Sequence, residues 1–175
     1  MSATSTSTAT NEQLLLTAYD EYADAIFRHC ALRLNDRERG KDLMQDTFVR
    51  AWESMQKGTS IENMRAFLYR IANNLIIDDV RRRKLRTEES LEDMQEDHGW
   101  ELPDTAPDPS RVTHGVMVME TVSRLEEPYR TAVVMRYVDG LPPRDIADAL
   151  GVSPNVVSVR IHRGIEQLAS LVNPS

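Results

Sequence analysis

The side chains best suited to bind another molecule lie near the C-terminal end of this 175-residue chain, in the segment DIADALGVSPNVVSVRIHRGIEQL, residues 145–168. The pattern predicts two short helices joined by a tight turn at Gly151, with Ser153 as the N-cap of the second helix and Pro154 at its first position. A helix-turn-helix of this kind commonly places its second helix in the major groove of DNA. The predicted chemistry is therefore recognition of base edges and phosphates.

The second helix of this segment carries different side chains on its two faces when it is drawn at about 100° per residue. The predicted core face consists of Val157, Ile161, Gly164, Ile165 and Leu168. The residues that point away from the core or flank it are Asn155, Val156, Ser158, Val159, Arg160, His162, Arg163 and Glu166. Arginine binds guanine or phosphate, and a small apolar side chain contacts a thymine methyl group. The two exposed valines are equally compatible with packing against a protein, so both alternatives stay open.

A second candidate binding site is the basic run VRRRKLR. Residues 65–87 hold 7 basic and 2 acidic residues, a net charge of +5, although the whole chain has a net charge of −7. Basic residues complement the C-terminal end of a helix dipole, but four in succession from Arg81 to Lys84 exceed what capping requires. Two interpretations stay open, a solvated helix end and a contact with nucleic-acid phosphates.

Three amphipathic helices must position the basic run. Apolar residues recur there at three- and four-residue spacing, which is typical of a helix with one buried face. We expect these helices at residues 12–34, about 41–55, and 64 to about 84. Asn63 is the expected N-cap of the third helix. Inside that helix lie Asn73 and Asn74, and because asparagine is a mediocre helix residue, a hydrogen bond to a neighbouring helix is the simplest reason for them.

An acidic stretch follows the basic run. Residues 88–111 hold 1 basic and 9 acidic residues, a net charge of −8, with three prolines and no sustained apolar period. Residues 88–112 are therefore expected to form a flexible acidic linker.

The predicted fold class is all-α, with two small helical domains on either side of this linker. The first domain is expected at residues 11–87 and the second at residues 113–175, where helices at residues 115–126 and 128–139 precede the helix-turn-helix. The opening MSATSTSTAT, residues 1–10, is expected to be a disordered tail.

Several classes of protein are excluded by composition and motif. Cys30 is the only cysteine, so neither a disulfide framework nor a cysteine-rich zinc site is expected, and His162 has no second ligand at metal-site spacing. No glycine-rich phosphate loop, H-E-x-x-H motif or nucleophile elbow occurs, so we expect no enzyme, no cofactor and no metal. A secretory signal and a membrane-spanning run are also missing from the sequence, and we expect a soluble, cytoplasmic protein without membrane insertion.

Three stretches, LMQDTFVRAW, FLYRIANNLIIDDVRRRK and MRYVDGLPPRDIADALGVSPNVVSVRIHRGIEQL, resemble an extracytoplasmic-function (ECF) sigma factor of bacterial RNA polymerase. The likeness covers both domains, about residues 14–171. It implies that the first domain is a sigma region 2, which binds core polymerase and the −10 element, and that the second is a region 4, which binds the −35 element. The implied partners are bacterial core RNA polymerase, promoter DNA and an anti-sigma factor.

The resemblance also implies roles for individual residues. The surface that docks on the clamp helices of the large polymerase subunit would contain Asp42, Leu43, Gln45, Asp46 and Phe48, although Leu43 and Phe48 are equally compatible with the core. The −10 element would be bound by Tyr69, Arg70, Asn73, Asn74, Arg81, Arg82, Arg83 and Lys84, with Asn74 matching the asparagine that holds a flipped base. The −35 element would be bound by Asn155, Val156, Ser158, Val159, Arg160, His162 and Arg163.

One departure from the family pattern affects the predicted recognition of the −35 element. Many relatives carry a lysine or arginine followed by serine where this chain has Ser158 and Val159, so we expect a different −35 element to be recognised. The alternative function is a two-domain helix-turn-helix regulator that binds DNA without core polymerase. Such a protein would need a ligand-binding or phosphoacceptor domain in its first half, which lacks the alternating strands and helices of a receiver.

Overall fold

The computed structural model describes residues 3–89 and 118–174, with side chains described from residue 10 to residue 88 and again throughout the second range. Most of the expected linker, from residue 90 onward, lies outside the described residues. All regular structure in the described ranges is helical, so the predicted all-α fold class is confirmed. The chain divides into two compact units, built mainly from the helices before residue 90 and from those after residue 117.

Three helices form the first unit: α1 at Ala3–Leu34, α2 at Arg37–Gln56 and α3 at Met64–Glu89. The start of α1 differs from the prediction, because residues 3–10 were expected to be a disordered tail and are helical in the structure. Adding residues to an existing helix costs far less than nucleating a new one, so a long helix can extend through the weakly helix-forming serines and threonines. The third helix also continues beyond its predicted end and includes the first two residues of the expected linker.

A left-handed asparagine separates α1 from α2. Asn35 has φ 50°, a conformation that asparagine tolerates better than most residues. The next residue, Asp36, is extended, and its side chain accepts a hydrogen bond from the backbone N–H of Arg39 at 2.9 Å. Asp36 is therefore the N-cap of α2, and the helix begins four residues before the predicted position. The predicted cap of α3 is confirmed, since Asn63 Oδ1 accepts from the backbone N–H of Ala66 at 3.0 Å.

The core of the first unit lies between its three helices. Its most completely buried side chains are Ile26, His29, Cys30, Leu43, Thr47, Leu68, Tyr69 and Ile76. Helices α1 and α2 approach each other at Gly40, where a Cβ atom would lie 2.6 Å from the Cα of Ala31. Only glycine fits this crossing without moving backbone.

The second unit contains the described part of a helix at residues 118–123 (α4), then α5 at Tyr129–Val133, a π-helical turn at Val134–Val138, α6 at Pro143–Leu150 and α7 at Pro154–Val172. Its core includes Val133, Met135, Leu141, Ile146 and Val157. Helix α7 packs on α5 at Gly164, where a Cβ atom would overlap the Cγ2 atom of Val133.

The turn between α6 and α7 has the predicted geometry. Gly151 ends α6 in the left-handed conformation, with φ 66°. The Ser153 side chain accepts a hydrogen bond from the backbone N–H of Val156 at 3.2 Å, and Pro154 occupies the first turn. The helix-turn-helix predicted from the sequence is therefore confirmed as a structural unit.

Candidate nucleic-acid and protein interfaces

One face of α2 carries an acidic and amide surface. Asp42, Gln45 and Asp46 are exposed, and their three- and four-residue spacing places them side by side on the helix. The same face continues to Val49, which is 55% exposed. No role was predicted for Val49 from the sequence, although its spacing from Gln45 and Asp46 places it on this surface.

The other two residues predicted for this surface lie beneath it. Leu43 and Phe48 are both buried in the core of the first unit. The Phe48 ring contacts the ring of Tyr19 edge-on, with 4.9 Å between centroids. These two side chains therefore support the exposed face of α2 from inside.

An outward stripe runs along α3 through Arg70, Asn74, Ile77, Arg81 and Lys84. Three- and four-residue steps bring these exposed side chains onto one line of the helix. Ile77 is 43% exposed and lies between the amide of Asn74 and the guanidinium of Arg81. No role was predicted for Ile77 from the sequence.

Four predicted −10 residues do not lie on this stripe, and two of them, Tyr69 and Asn73, are buried. Tyr69 is buried, and its ring packs edge-on against His29 with 5.1 Å between centroids. Asn73 is 7% exposed, and its Oδ1 accepts a hydrogen bond from Nη1 of Arg33 at 3.2 Å. The simplest explanation for this asparagine, a bond to a neighbouring helix, is therefore confirmed.

The basic run at the end of α3 divides into two groups. Arg81, Arg82 and Lys84 are exposed and make no ion pair with another residue in the described ranges. Arg83 instead pairs with two carboxylates of the same unit, those of Asp36 and Asp79.

The outward face of α7 carries small polar and apolar side chains. Asn155, Val159 and His162 point away from the buried Val157. Val156 and Val159 are 37% and 43% exposed, so neither is part of the core of this unit. Exposed apolar side chains at such positions can contact either thymine methyl groups in a DNA groove or the surface of another protein.

Two polar residues of α7 make contacts within their own helix. His162 Nε2 lies 3.3 Å from Glu166 Oε1 on the next turn, and the Ser158 hydroxyl donates to the carbonyl oxygen of Pro154 at 3.1 Å. Arg163 is exposed and Arg160 is half-buried.

The predicted core face of α7 needs one correction, because Ile165 is 40% exposed. It lies about 80° around the helix from the buried Val157. Helix α7 contacts α5 through the side that carries Gly164, and Ile165 lies beside this contact.

Neither a metal nor a membrane site emerges from the described residues. Their His, Cys, Asp and Glu side chains form no group of three or more that could hold a metal ion. None of the helices in residues 3–89 and 118–174 is long and apolar enough to cross a membrane.

Two family models match this chain, one in each unit. The model of Sigma-70 region 2 matches residues 18–86, which include the α2 face and the whole basic run. The model of Sigma-70, region 4 matches residues 115–168, which include the helix-turn-helix.

Two relatives match most of the chain. The ECF RNA polymerase sigma factor SigE of Mycolicibacterium smegmatis is 34% identical across 91% of this chain and 63% of its own length. The ECF RNA polymerase sigma factor SigW of Bacillus subtilis is 29% identical across 85% of this chain and 83% of its own length. The chain thus spans slightly less than two thirds of SigE and most of SigW.

Solved structures share the fold. The sigma factor RpoE of Bartonella quintana, crystallised with the anti-sigma factor NepR, is 20% identical, with a TM-score of 0.72 over 92% of this chain and 95% of that one. CnrH, in complex with the cytosolic domain of CnrY, is also 20% identical, with a TM-score of 0.68 over 97% of this chain and 94% of that one. With both regions matched in order and ECF relatives along most of its length, the chain belongs to the ECF sigma factors of the sigma-70 family.

Proposed function

We propose that this sigma factor binds core RNA polymerase and directs promoter-specific transcription initiation by recognising −10 and −35 elements. The observation that carries the proposal is that each unit has one exposed helix face suited to DNA. The α3 stripe lies in the unit that matches region 2, and the outer face of α7 lies in the unit that matches region 4. The chain then acts by binding, without a catalytic step of its own, and it works in the cytoplasm, where bacterial RNA polymerase and promoter DNA meet.

The polymerase contact is assigned to the exposed part of the α2 face. Asp42, Gln45 and Asp46 offer carboxylate and amide oxygens to a basic partner helix, and Val49 supplies an apolar centre. Buried apolar side chains surrounded by polar ones are the common arrangement of a protein interface.

The −10 contact is assigned to the α3 stripe together with the neighbouring exposed Arg82. Asn74 presents an amide that can form two hydrogen bonds with a base edge. Ile77 offers an apolar surface of the kind that contacts a thymine methyl group. Arg81, Arg82 and Lys84 supply cations for the phosphates beside that base.

The −35 contact is assigned to the outer face of α7. Arg160 and Arg163 bind phosphate or guanine, and Val156 and Val159 contact thymine methyl groups. Since Ser158 uses its hydroxyl on its own helix, the valines carry more of the base discrimination than they would beside a lysine.

An anti-sigma factor is the proposed regulator of this chain. The solved sigma factor RpoE of Bartonella quintana was crystallised with the anti-sigma factor NepR. The exposed valines of α7 are compatible with such a partner as well as with DNA, and the promoter panel described below separates the two roles.

A DNA-binding regulator that works without polymerase is not favoured, because the first unit matches sigma region 2. The deciding experiment mixes the purified chain with a promoter library in the presence and absence of core polymerase. A sigma factor selects promoters and starts transcripts only with core, whereas a regulator enriches its operator when core is absent.

A further inference from the structure

A buried carboxylate connects the basic end of α3 to the start of α2. Asp79 is only 5% exposed. Its Oδ1 accepts a hydrogen bond from Nε of Arg39 at 2.6 Å, and its Oδ2 lies 3.0 Å from Nε of Arg83. Two guanidinium groups from two helices therefore surround one carboxylate that would be costly to bury without them.

Arg83 makes a second ion pair at the same place. Its Nη2 donates to Oδ2 of Asp36 at 3.1 Å. The other carboxylate oxygen of Asp36 accepts from the backbone N–H of Arg39 and so caps α2. One arginine thus joins the cap of α2 to the buried Asp79.

The direction of Arg83 sets it apart from the rest of the basic run. At 100° per residue it lies about 160° around α3 from Arg81, on the side of Asp79. Turning Arg83 toward a phosphate would break its hydrogen bond to Asp36 and its ion pair with Asp79. Asp79 would then keep Arg39 alone, which is unfavourable for a buried carboxylate.

We infer that Arg83 is a positioning residue: by bridging Asp36 and Asp79 it fixes the direction in which α3 presents its exposed cations to promoter DNA. The inference rests on the proposed −10 function of α3. It gives Arg83 a different role from Arg82, although the sequence predicts the same −10 DNA contact for both residues.

The variant Asp36→Ser separates the two possible roles of Arg83 by the sign of its effect. Serine caps a helix about as well as aspartate, but it cannot form an ion pair with Arg83. If Arg83 positions the helix, promoter binding by the holoenzyme weakens on the order of fivefold. If Arg83 contacts phosphate, freeing it and removing an acidic group leaves binding equal or tighter.

Binding is measured with holoenzyme reconstituted from purified core polymerase and the full chain. The DNA is a promoter that the wild-type holoenzyme selects from a random library, and each titration is repeated at several salt concentrations. Circular dichroism and thermal unfolding of each variant verify that it is folded at the assay temperature.

Two alanine variants form a matched pair for the salt dependence. Losing one phosphate contact lowers the slope of log affinity against log salt concentration by about 0.9 on duplex DNA and about 0.7 on single strands. We expect this decrease for Arg82→Ala, whereas Arg83→Ala weakens binding with an unchanged slope. Arg83→Lys is expected to bind with intermediate affinity, because one ammonium group does not replace a guanidinium that bridges two carboxylates.

The inference is overturned if Asp36→Ser binds as tightly as wild type, or if Arg83→Ala lowers the slope as much as Arg82→Ala does. Should Arg83→Ala fail to fold, Asp36→Ser and Arg83→Lys decide the question. A wild-type holoenzyme that selects no promoter overturns the proposed function and this inference together. The inference alone fails if the wild-type holoenzyme selects promoters but the Arg83 variants change affinity and salt slope as the loss of a phosphate contact would.

Discussion

Asn73 and Asn74 are neighbours in the sequence and have opposite environments in the structure. Asn73 faces the interior of the first unit and accepts a hydrogen bond from Arg33 on α1, whereas Asn74 is exposed on the outward stripe of α3. Adjacent helical residues lie about 100° apart, so one residue of this pair serves the fold and the other is available to a partner.

Alanine substitutions are expected to separate these two asparagines. Asn73→Ala should lower the free energy of unfolding by about 1–2 kcal/mol, because it removes the acceptor of a partly buried hydrogen bond. Asn74→Ala should change the free energy of unfolding by less than about 0.5 kcal/mol but weaken −10 recognition. Urea unfolding and transcription from −10 variants check the two expectations, and each variant is the control for the other. Equal effects of both variants in either assay would contradict this assignment.

Removing the polar groups of the α2 face should weaken binding to core polymerase. The double variant Gln45→Ala with Asp46→Ala deletes an amide and a carboxylate from exposed positions, so its helix content should stay unchanged. A competition assay against a labelled reference sigma factor measures the affinity for core.

The matched control is the double variant Asp20→Ala with Glu21→Ala, which removes exposed carboxylates from α1. Since this pair lies on another helix, it should leave the affinity for core close to that of wild type. The α2 assignment fails if both double variants bind core equally well.

Two substitutions on α7 should give different promoter phenotypes. Val159→Ala should reduce the discrimination between bases at one or two positions by at most about 3 kcal/mol, because it removes an apolar base contact. Arg163→Ala should weaken binding to all sequences and lower the salt slope if this arginine holds a phosphate. Holoenzyme binding to a panel of single-base −35 variants at two salt concentrations distinguishes these effects.

The same panel tests whether the valines face protein. If Val159→Ala leaves the base preferences unchanged and instead weakens the complex with an anti-sigma factor, the DNA assignment of this residue is wrong.

The contact between α5 and α7 should tolerate no side chain at Gly164. Gly164→Ala would place a Cβ atom against the Cγ2 atom of Val133, and such overpacking should cost about 1–3 kcal/mol in the free energy of unfolding. Ser170→Ala, at an exposed site on the same helix, should change it by less than about 0.5 kcal/mol. Thermal unfolding compares the two variants. Equal melting temperatures would show that the contact between α5 and α7 accommodates the added methyl group without loss of stability.

Local signals in the sequence predicted the turns and caps. The hydrogen bonds at Asn63 and Ser153 join residues three positions apart, and the left-handed turn at Gly151 depends on that residue alone. Such features are determined within a few residues, so they can be read before the fold is known.

Features that depend on distant partners could not be predicted in this way. Arg83 and Arg82 are identical in type and adjacent in sequence, and only the position of α2 shows that Arg83 meets Asp36, 47 residues away. Ile165 fits the apolar spacing of α7, but the crossing at Gly164 leaves it exposed. Burial at such positions is set by how whole helices cross, which periodicity along one helix does not determine.

Initiation by purified components tests the central claim most directly. The chain is added to core RNA polymerase and a library of random upstream sequences, and the 5′ ends of the transcripts are sequenced. We predict transcripts that begin at a fixed distance downstream of two shared elements, and only when both the chain and core are present. Binding of the chain alone to a DNA operator, with no increase in specific transcripts over core, would contradict the assignment as a sigma factor.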